Sequence, residues 1–283
     1  MRSEAAIPDS PVDPAPLKPL PLAVGRPEIP DAVRRVGGAQ ALPQVLAENG
    51  LDVAALLAEF GVTADVFADP EHLIPADLVG RLAVRAIELG AADDLGLRVG
   101  LRAELRSMGL LGYLALSAET VEQALVSLVH YYRLQNQLVA PALSQRGTEA
   151  VFGYDILVPL SPGADQLSFG SLASMLNFLR ELCGGGFRLR EARFAFAAPA
   201  SAARFATVFG PRVRFEATRS ELVFDAGYLA RRPATADPTL RALLLNQVRQ
   251  FKDGNDAEQI AGRVGRVLRT LMAVGRFSEQ EVA

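Results

Sequence analysis

Apolar residues recur at helical spacing, three or four positions apart, through most of the first half of the chain. The repeat predicts four short amphipathic helices between residues 42 and 101. Pro75 fits the first turn of the third helix, and Asp93 and Asp94 favour the start of the fourth, because a helix N-terminus stabilises negative charge. The apolar stretch 108–116 is too short to cross a membrane, which takes about 20 residues, so it predicts a buried helix or a tight turn.

The period of the pattern changes to two after Pro141. Before this change, residues 121–132 present the single apolar face of a further helix. After it, apolar and polar residues alternate on either side of a turn at 147–148, which predicts a β-hairpin. Helical spacing then returns over residues 164–182, and Gly184 follows as a stop signal.

Strands and helices are mixed in the last third of the pattern. Alternation predicts a strand over residues 187–196 and a second hairpin across a turn at 218–220. Between them we expect a short helix capped by Ser201, and helices resume at Asp237. The sum is an α+β fold in which N-terminal helices pack with a small, mostly antiparallel sheet and are followed by C-terminal helices.

The N-terminal stretch lies outside this pattern. Its first 30 residues include eight prolines, and proline both fixes φ and removes a backbone donor. We therefore expect residues 1–34 to form a disordered, proline-rich tail, with an SH3-type ligand as the alternative. No apolar run is long enough for a membrane-spanning helix, so we expect a cytoplasmic protein that does not bind membranes.

Composition narrows the chemistry that the chain can perform. The 283 residues carry a formal net charge of −3, with one cysteine and two histidines, which leaves no disulfide framework or multi-cysteine metal site. No serine or cysteine stands in a nucleophile–base motif, so we expect no enzyme, no metal and no cofactor. Cys183 fits a small buried apolar residue better than a redox sensor, and His72 lies in a predicted turn.

The last residues form a second compositional unit, 255–283. A predicted helix there has apolar residues on one side, and its outward positions include Arg263, Arg266 and Arg269. Ser278 and Glu281 then have the spacing of a capping box, which marks the start of another helix about one turn before the chain stops. Because so short a helix is unstable alone, we expect a chain cut from a longer protein rather than a frayed natural terminus.

Several stretches, taken in order, resemble the AraC/XylS-type transcription regulators, in the subgroup with an arabinose-binding-like N-terminal domain. The matching stretches are residues 41–51, Asp94-Leu-Gly-Leu-Arg-Val-Gly100, Gly109-Leu-Leu-Gly-Tyr113, residues 117–125, Phe209-Gly-Pro-Arg-Val-Arg-Phe215, and Leu222-Val-Phe224. Residues 264–283 resemble the start of the helix-turn-helix domain of this family, whose recognition helices would lie beyond Ala283.

The resemblance implies a division of the chain and its partners. Residues 35–251 would be an effector-sensing and dimerisation domain, and residues 255–283 would begin a truncated DNA-binding domain. The implied partners are a small-molecule effector, DNA and a second copy of the chain. Arg263, Arg266 and Arg269 are then candidates for contacts to the DNA backbone, although a solvated helix face explains them equally well.

A sensor needs a mostly apolar pocket with a few polar anchors. Polar-capable side chains set in apolar helices are candidates for these anchors, with hydrogen bonds to the backbone as the alternative for each. The candidates are Tyr113, Tyr131, Tyr132, Gln135, Asn136 and Asn177. Arg188, Arg190 and Arg193 could bind an anionic ligand, but the solvated side of a half-buried strand explains them better.

The sequence therefore favours the ligand-sensing region of a DNA-binding transcription factor. The alternative is a stand-alone small-molecule or haem-binding module without DNA binding, suggested by His130 near the end of a predicted helix. A lone histidine on a helix is more often structural or exposed than a ligand.

Overall fold

The computed structural model describes residues 33–157 and 162–249. Most of the predicted tail 1–34, the predicted unit 255–283, and the candidates Arg263, Arg266 and Arg269 lie outside the described residues. The helices are α1 (Leu42–Glu48), α2 (Val53–Ala58), α3 (Leu78–Glu88), α4 (Leu95–Gly100), α5 (Gly109–Leu116), α6 (Val121–Tyr131), α7 (Ala164–Cys183) and α8 (Ala202–Phe209). The strands are β1 (Val33–Arg35), β2 (Leu73–Pro75), β3 (Val139–Arg146), β4 (Glu149–Ile156), β5 (Leu189–Arg193), β6 (Val213–Arg214) and β7 (Ser220–Asp225). Residues 238–249 are also helical.

The predicted α+β fold is confirmed, and the N-terminal helices begin close to their predicted positions. A small two-stranded sheet joins β1 to β2 in antiparallel register, with Val33 opposite Pro75. Pro75 therefore ends a strand, and the prediction that it lies in a helix turn is wrong, since α3 begins at Leu78. The strand at Val33 also begins inside the stretch predicted as tail.

Helices α4 and α7 cross at very close range. A Cβ atom placed on Gly96 would collide with the carbonyl oxygen of Gln166, and one on Gly100 would collide with that of Gly170. Glycine at these positions lets the two backbones touch, so α7 is fixed directly against the N-terminal helices.

The larger sheet has five strands in the order β3-β4-β7-β5-β6. The first hairpin is present, with Arg146 paired to Glu149 around its turn. The predicted second hairpin is wrong, because β6 pairs in parallel with β5 and not with β7. β7 instead inserts between β4 and β5 and is antiparallel to both. A long-range insertion of this kind leaves no signal in local alternation.

Two hydrophobic clusters form the core, one among the N-terminal helices and one around the sheet and α7. The second includes a group of contacting aromatic rings, here called the phenylalanine cluster. Its members are Phe169, Phe194, Phe205, Phe209 and Phe215. Neighbouring ring centroids in it lie between 4.9 Å, for Phe169 and Phe205, and 6.4 Å, for Phe169 and Phe215.

Ser201 precedes α8 as predicted but does not cap it. Its hydroxyl makes no hydrogen bond in the described structure. The carboxylate of Asp93 accepts from the backbone amides of Ala200, at 2.6 Å, and Ser201. A side chain just before α4 thus holds the segment that leads into α8.

In the described part of the chain, no helix has the length and apolarity needed to cross a bilayer.

Candidate ligand-binding cavity

A cavity lies between the N-terminal helices, α7 and the first hairpin of the sheet. It encloses about 1070 Å³, including the space open to solvent at its mouth. Most of its wall is apolar. The apolar side chains that line it are Ala39, Leu42, Val79, Ala83, Leu95, Val99, Met108, Leu128, Val139, Pro141, Phe152, Leu167, Met175 and Phe178. Large, mostly apolar concavities with a few polar groups are typical of small-molecule sites.

Residues 33–39 and residues 132–136 meet along one edge of the cavity. We call these two segments together the polar rim. The backbone amide of Arg35 donates to the carbonyl of Gln135 at 2.9 Å, and Arg34 forms a β-bridge with Asn136. The side-chain amide of Gln135 donates to the carbonyl of Met108 at 2.5 Å. These bonds hold β1 against the end of α6, so the rim is a built feature of the fold.

The rim directs hydrogen-bond donors at the cavity. Among the described residues, the terminal nitrogens of Arg34 and the hydroxyl of Tyr132 have no hydrogen-bond partner, and the only bond from the Arg34 guanidinium is a 3.3 Å one from Nε to the carbonyl of Arg35. The Oδ1 atom of Asn136 accepts from the amide of Leu138 at 2.9 Å, and its side-chain amide nitrogen has no hydrogen-bond partner among the described residues.

Burial perturbs the two ionisable groups of the rim. It lowers the pKa of Arg34 from its ordinary value, an effect that nearby Tyr132 partly offsets. Burial raises the pKa of Tyr132, and the positive charge of Arg34 opposes that rise. Tyr132 is thus neutral near pH 7, and Arg34 keeps its charge because a guanidinium does not deprotonate in proteins.

The sheet side of the cavity carries a second polar group, built around Tyr154. Its hydroxyl donates to Ser168 at 2.8 Å, and the Ser168 and Ser220 hydroxyls lie 2.9 Å apart. Burial raises the pKa of Tyr154 to about 12, although hydrogen bonds to serine hydroxyls oppose the shift. This group is already satisfied by the protein, so it shapes the wall more than it offers free donors.

The lining residues that the structure describes include cationic but no anionic side chains. Besides Arg34, the described lining includes Arg35, which pairs with Glu71 at 2.7 Å, and it includes no aspartate or glutamate. Gln166 is fully engaged, since it accepts from the amide of Gly96 at 2.9 Å and donates to the carbonyl of Asp93 at 2.8 Å. Arg34 is therefore the one lining cation that has no carboxylate partner among the described residues.

Three of the six predicted anchors, Tyr132, Gln135 and Asn136, line the cavity. The other three are placed elsewhere. Tyr113 is 46% exposed on α5, and Tyr131 is 8% exposed within the sheet core. Asn177 donates to the carbonyl of Leu101 at 2.7 Å, which is the backbone alternative considered for each candidate.

Sequence reasoning missed Arg34, Tyr154 and Ser171, all of which line the cavity. Arg34 stands beside the proline-rich stretch and was assigned to the tail. Tyr154 fits the alternating pattern of a predicted strand, but this pattern does not show which face of the strand borders open space. The one usable signal was the run of small residues on α7, which includes Gly170 and Ser171.

The other candidate residues lie away from the cavity. His130 is exposed on α6, with its ring 4.6 Å from that of Tyr131. Cys183 is buried, and burial raises the pKa of its thiol to about 11, as expected for an unreactive side chain. Arg190 pairs with Glu149 and Asp225, and Arg193 pairs with Glu191 and Glu221. These arginines already have acidic partners.

Comparison with known proteins adds to this geometry. Residues 50–233 match the family model described as the arabinose-binding domain of AraC transcription regulators, N-terminal. The chain belongs to this family. The match spans α2 to β7 and most of the cavity wall, and it identifies the chain as the ligand-sensing region of a transcription factor.

Two individual proteins are similar to the chain. The ornithine utilization regulator of Pseudomonas aeruginosa is 28% identical over 249 residues, which are 88% of this chain and 73% of that protein. The crystal structure of the transcriptional regulator CdpR from Pseudomonas aeruginosa superposes with a TM-score of 0.50 at 18% identity. This alignment covers 71% of this chain and 60% of CdpR. Because the identity is low, the likeness is one of fold.

Proposed function

We propose that the cavity is the effector site of a transcription regulator and that the polar rim orients the effector. The observation that carries the proposal is the combination of a mostly apolar cavity with donors of Arg34 and Tyr132 on one edge that have no hydrogen-bond partner among the described residues. Gln135 and Asn136 belong to the same rim. Tyr113, Tyr131 and Asn177 take no part in this proposal, because the structure places them outside the cavity.

The effector would act by linkage. A molecule that binds one conformation of the sensing domain better than another shifts the population toward that conformation. The DNA-reading part would follow residues 35–251, with residues 255–283 as the start of its helix-turn-helix domain and Arg263, Arg266 and Arg269 as backbone contacts. We further propose that the regulator works as a homodimer in the cytoplasm and that it is not an enzyme, since its relatives are transcription regulators.

The test is a thermal-shift screen of metabolites, because a ligand that prefers the folded state raises the melting temperature. Each hit is repeated with Ser171→Phe, which places a ring in the cavity from α7. Thr207→Phe adds the same ring on the exposed side of α8 and is the matched control. The proposal predicts that Ser171→Phe abolishes the ligand-dependent shift and Thr207→Phe retains it.

A hit that stabilises both variants equally would show that the effector binds elsewhere. Operator binding is tested on the complete gene product, whose affinity for its own promoter should change when the hit is added. A complete reading frame without a helix-turn-helix downstream of residue 283 would contradict the DNA-binding part of the proposal.

The haem-binding alternative gains no support from the cavity. In the described lining no residue is a histidine. Purified protein with a Soret band that disappears in His130→Ala would revive that alternative.

A further inference from the structure

We infer that the effector carries a carboxylate on an apolar body and that Arg34 binds this carboxylate. The inference rests on the proposed function, because it names the class of molecule that fills the same cavity. It starts from the chemical imbalance of the lining, which offers donors and a positive charge but no acidic side chain among its described residues.

Arg34 differs from its immediate neighbour. Arg35 is neutralised by Glu71 at 2.7 Å and donates to the carbonyls of Glu71 and Leu134, both at 3.0 Å. Within the described ranges, Arg34 has no ion pair and makes one long bond, to the carbonyl of Arg35. A partly buried guanidinium without a counter-ion is costly to maintain, and an anionic ligand would remove that cost.

The groups beside Arg34 suit the same ligand. Tyr132 has its hydroxyl free of any described partner, and both Tyr132 and Arg34 line the cavity on the polar rim. Asn136 is bridged to Arg34 through the backbone, and its side-chain amide nitrogen has no hydrogen-bond partner among the described residues. A carboxylate has acceptor sites on two oxygens, so it can take a bidentate pair of bonds from the guanidinium and further bonds from these donors.

The apolar part of the described lining constrains the rest of the molecule. Leu42, Val79, Leu95 and Val99 form a wall of aliphatic side chains. An ammonium group placed there would lose its hydration without gaining a carboxylate partner, which is unfavourable. We therefore expect an acid with an apolar body and expect diamino acids, including ornithine, to be rejected, even though one relative is an ornithine utilization regulator.

The probe is a panel of straight-chain and phenyl-substituted carboxylic acids, each tested beside the amide and the amine with the same body. Thermal shift identifies binders, and isothermal titration calorimetry gives their affinities at pH 7. We expect at least one acid to stabilise the wild-type chain and to bind about tenfold or more tightly than its amide, the ratio for a charge-assisted bond. The matching amine and ornithine should not bind.

Arg34→Gln should remove the preference for the acid while leaving amide binding within about a factor of three, which is less than the loss of one ordinary hydrogen bond. Arg34→Lys keeps the charge and should retain a weaker preference for the acid, so it tests the inference even where Arg34→Gln folds poorly. Arg81→Gln is the matched control, since Arg81 pairs with Asp77 on the surface and does not line the cavity.

The inference is overturned if no acid of the panel stabilises the wild type, if an amine binds as well as its acid, or if Arg34→Gln keeps the full preference. These results leave the proposed function standing whenever a neutral or cationic hit is still blocked by Ser171→Phe. The proposed function fails separately, when Ser171→Phe leaves every hit unaffected.

Discussion

The two sides of α7 border regions that are packed in opposite ways. On one side, Phe169, Leu172 and Leu176 enter the sheet core and are at most 1% exposed. On the other, Ser171 and Ser174 face the cavity. Each set follows helical spacing, so one helix carries a filled face and an open face side by side.

The difference teaches that a helix buried on several sides can still hold a binding surface. Large rings fill the first face completely, as in the phenylalanine cluster. The second face carries the small residues Gly170, Ser171 and Ser174 beside Met175 and Phe178, and space remains between it and its described neighbours. The face of α7 that stabilises the fold and the face that borders the cavity are thus less than one helical turn apart. A substitution on one face can change stability or ligand binding without changing the other property.

The largest expected effect comes from the filled face. Phe194→Ala should lower the free energy of unfolding by about 3–5 kcal/mol, because it leaves a void among closely packed rings. The measurement is chemical denaturation followed by circular dichroism. Phe178→Ala is the matched comparison and should cost less, since that ring already borders the cavity. Equal losses would contradict the distinction between the two faces.

A smaller effect is expected at the close crossing of α4 and α7, which joins α7 to the N-terminal helices. Gly100→Ala should lower the free energy of unfolding by about 1–3 kcal/mol, because the new methyl group forces α4 away from the backbone of Gly170. Gly185→Ala, at a site where a Cβ meets no neighbour within 4 Å, is the control. Since Gly100 lines the cavity, Gly100→Ala should also weaken effector binding, unlike Phe194→Ala.

The fold and the cavity differ in how far the sequence predicts them. Local periodicity predicted α7 and the first hairpin well, because burial of one face repeats within a few residues. Local periodicity failed for β6. That strand pairs with β5 and not with β7, because β7 inserts between β4 and β5. It also missed β1 and β2, which have three residues each and are too short to show alternation.

The cavity was harder to predict than the fold for a related reason. Polarity within an apolar helix selects Tyr132, which lines the cavity, but equally selects Tyr113, which is exposed. Spacing shows that a residue belongs to a face, whereas an empty space depends on what the opposing elements leave unfilled. Arg34 lies on the rim only because β1 pairs with β2 and bridges to Asn136, and neither contact is local.

The third prediction addresses Tyr154, which lies where the filled and open regions meet. Tyr154→Phe should cost about 1 kcal/mol, the usual worth of one hydrogen bond, here the bond to Ser168. The folded-state pKa of Tyr154 is raised from 10.0 to about 12, so the unfolded chain loses this proton first as pH rises. The raised pKa of Tyr154 therefore adds to the free energy of unfolding below pH 10, and this addition is lost between about pH 10 and 12.

Chemical denaturation of the wild type and of Tyr154→Phe across that pH range shows whether stability falls with rising pH as expected. The variant should show a smaller fall in stability with rising pH than the wild type. An identical pH dependence in both proteins would show that Tyr154 ionises as freely in the folded chain as in the unfolded one.

The smallest expected effect lies on the sheet, away from both faces of α7. Arg193 pairs with Glu191 at 3.0 Å and with Glu221 at 2.6 Å, but its side chain is 33% exposed. The side chains of Glu191 and Glu221 are 13% and 16% exposed, so solvent screens these pairs only in part. Arg193→Gln should then cost up to about 1 kcal/mol, and less at high salt. A loss comparable to that of Phe194→Ala would show that these ion pairs, and not the filled face, dominate stability.

The most direct test of the account is a crystal structure of the chain with a bound acid from the panel. We expect electron density for the ligand between α3, α7 and β4, with its carboxylate oxygens within hydrogen-bonding distance of the Arg34 guanidinium. A ligand bound at any other surface, or one in the cavity with its apolar end toward Arg34, would contradict it.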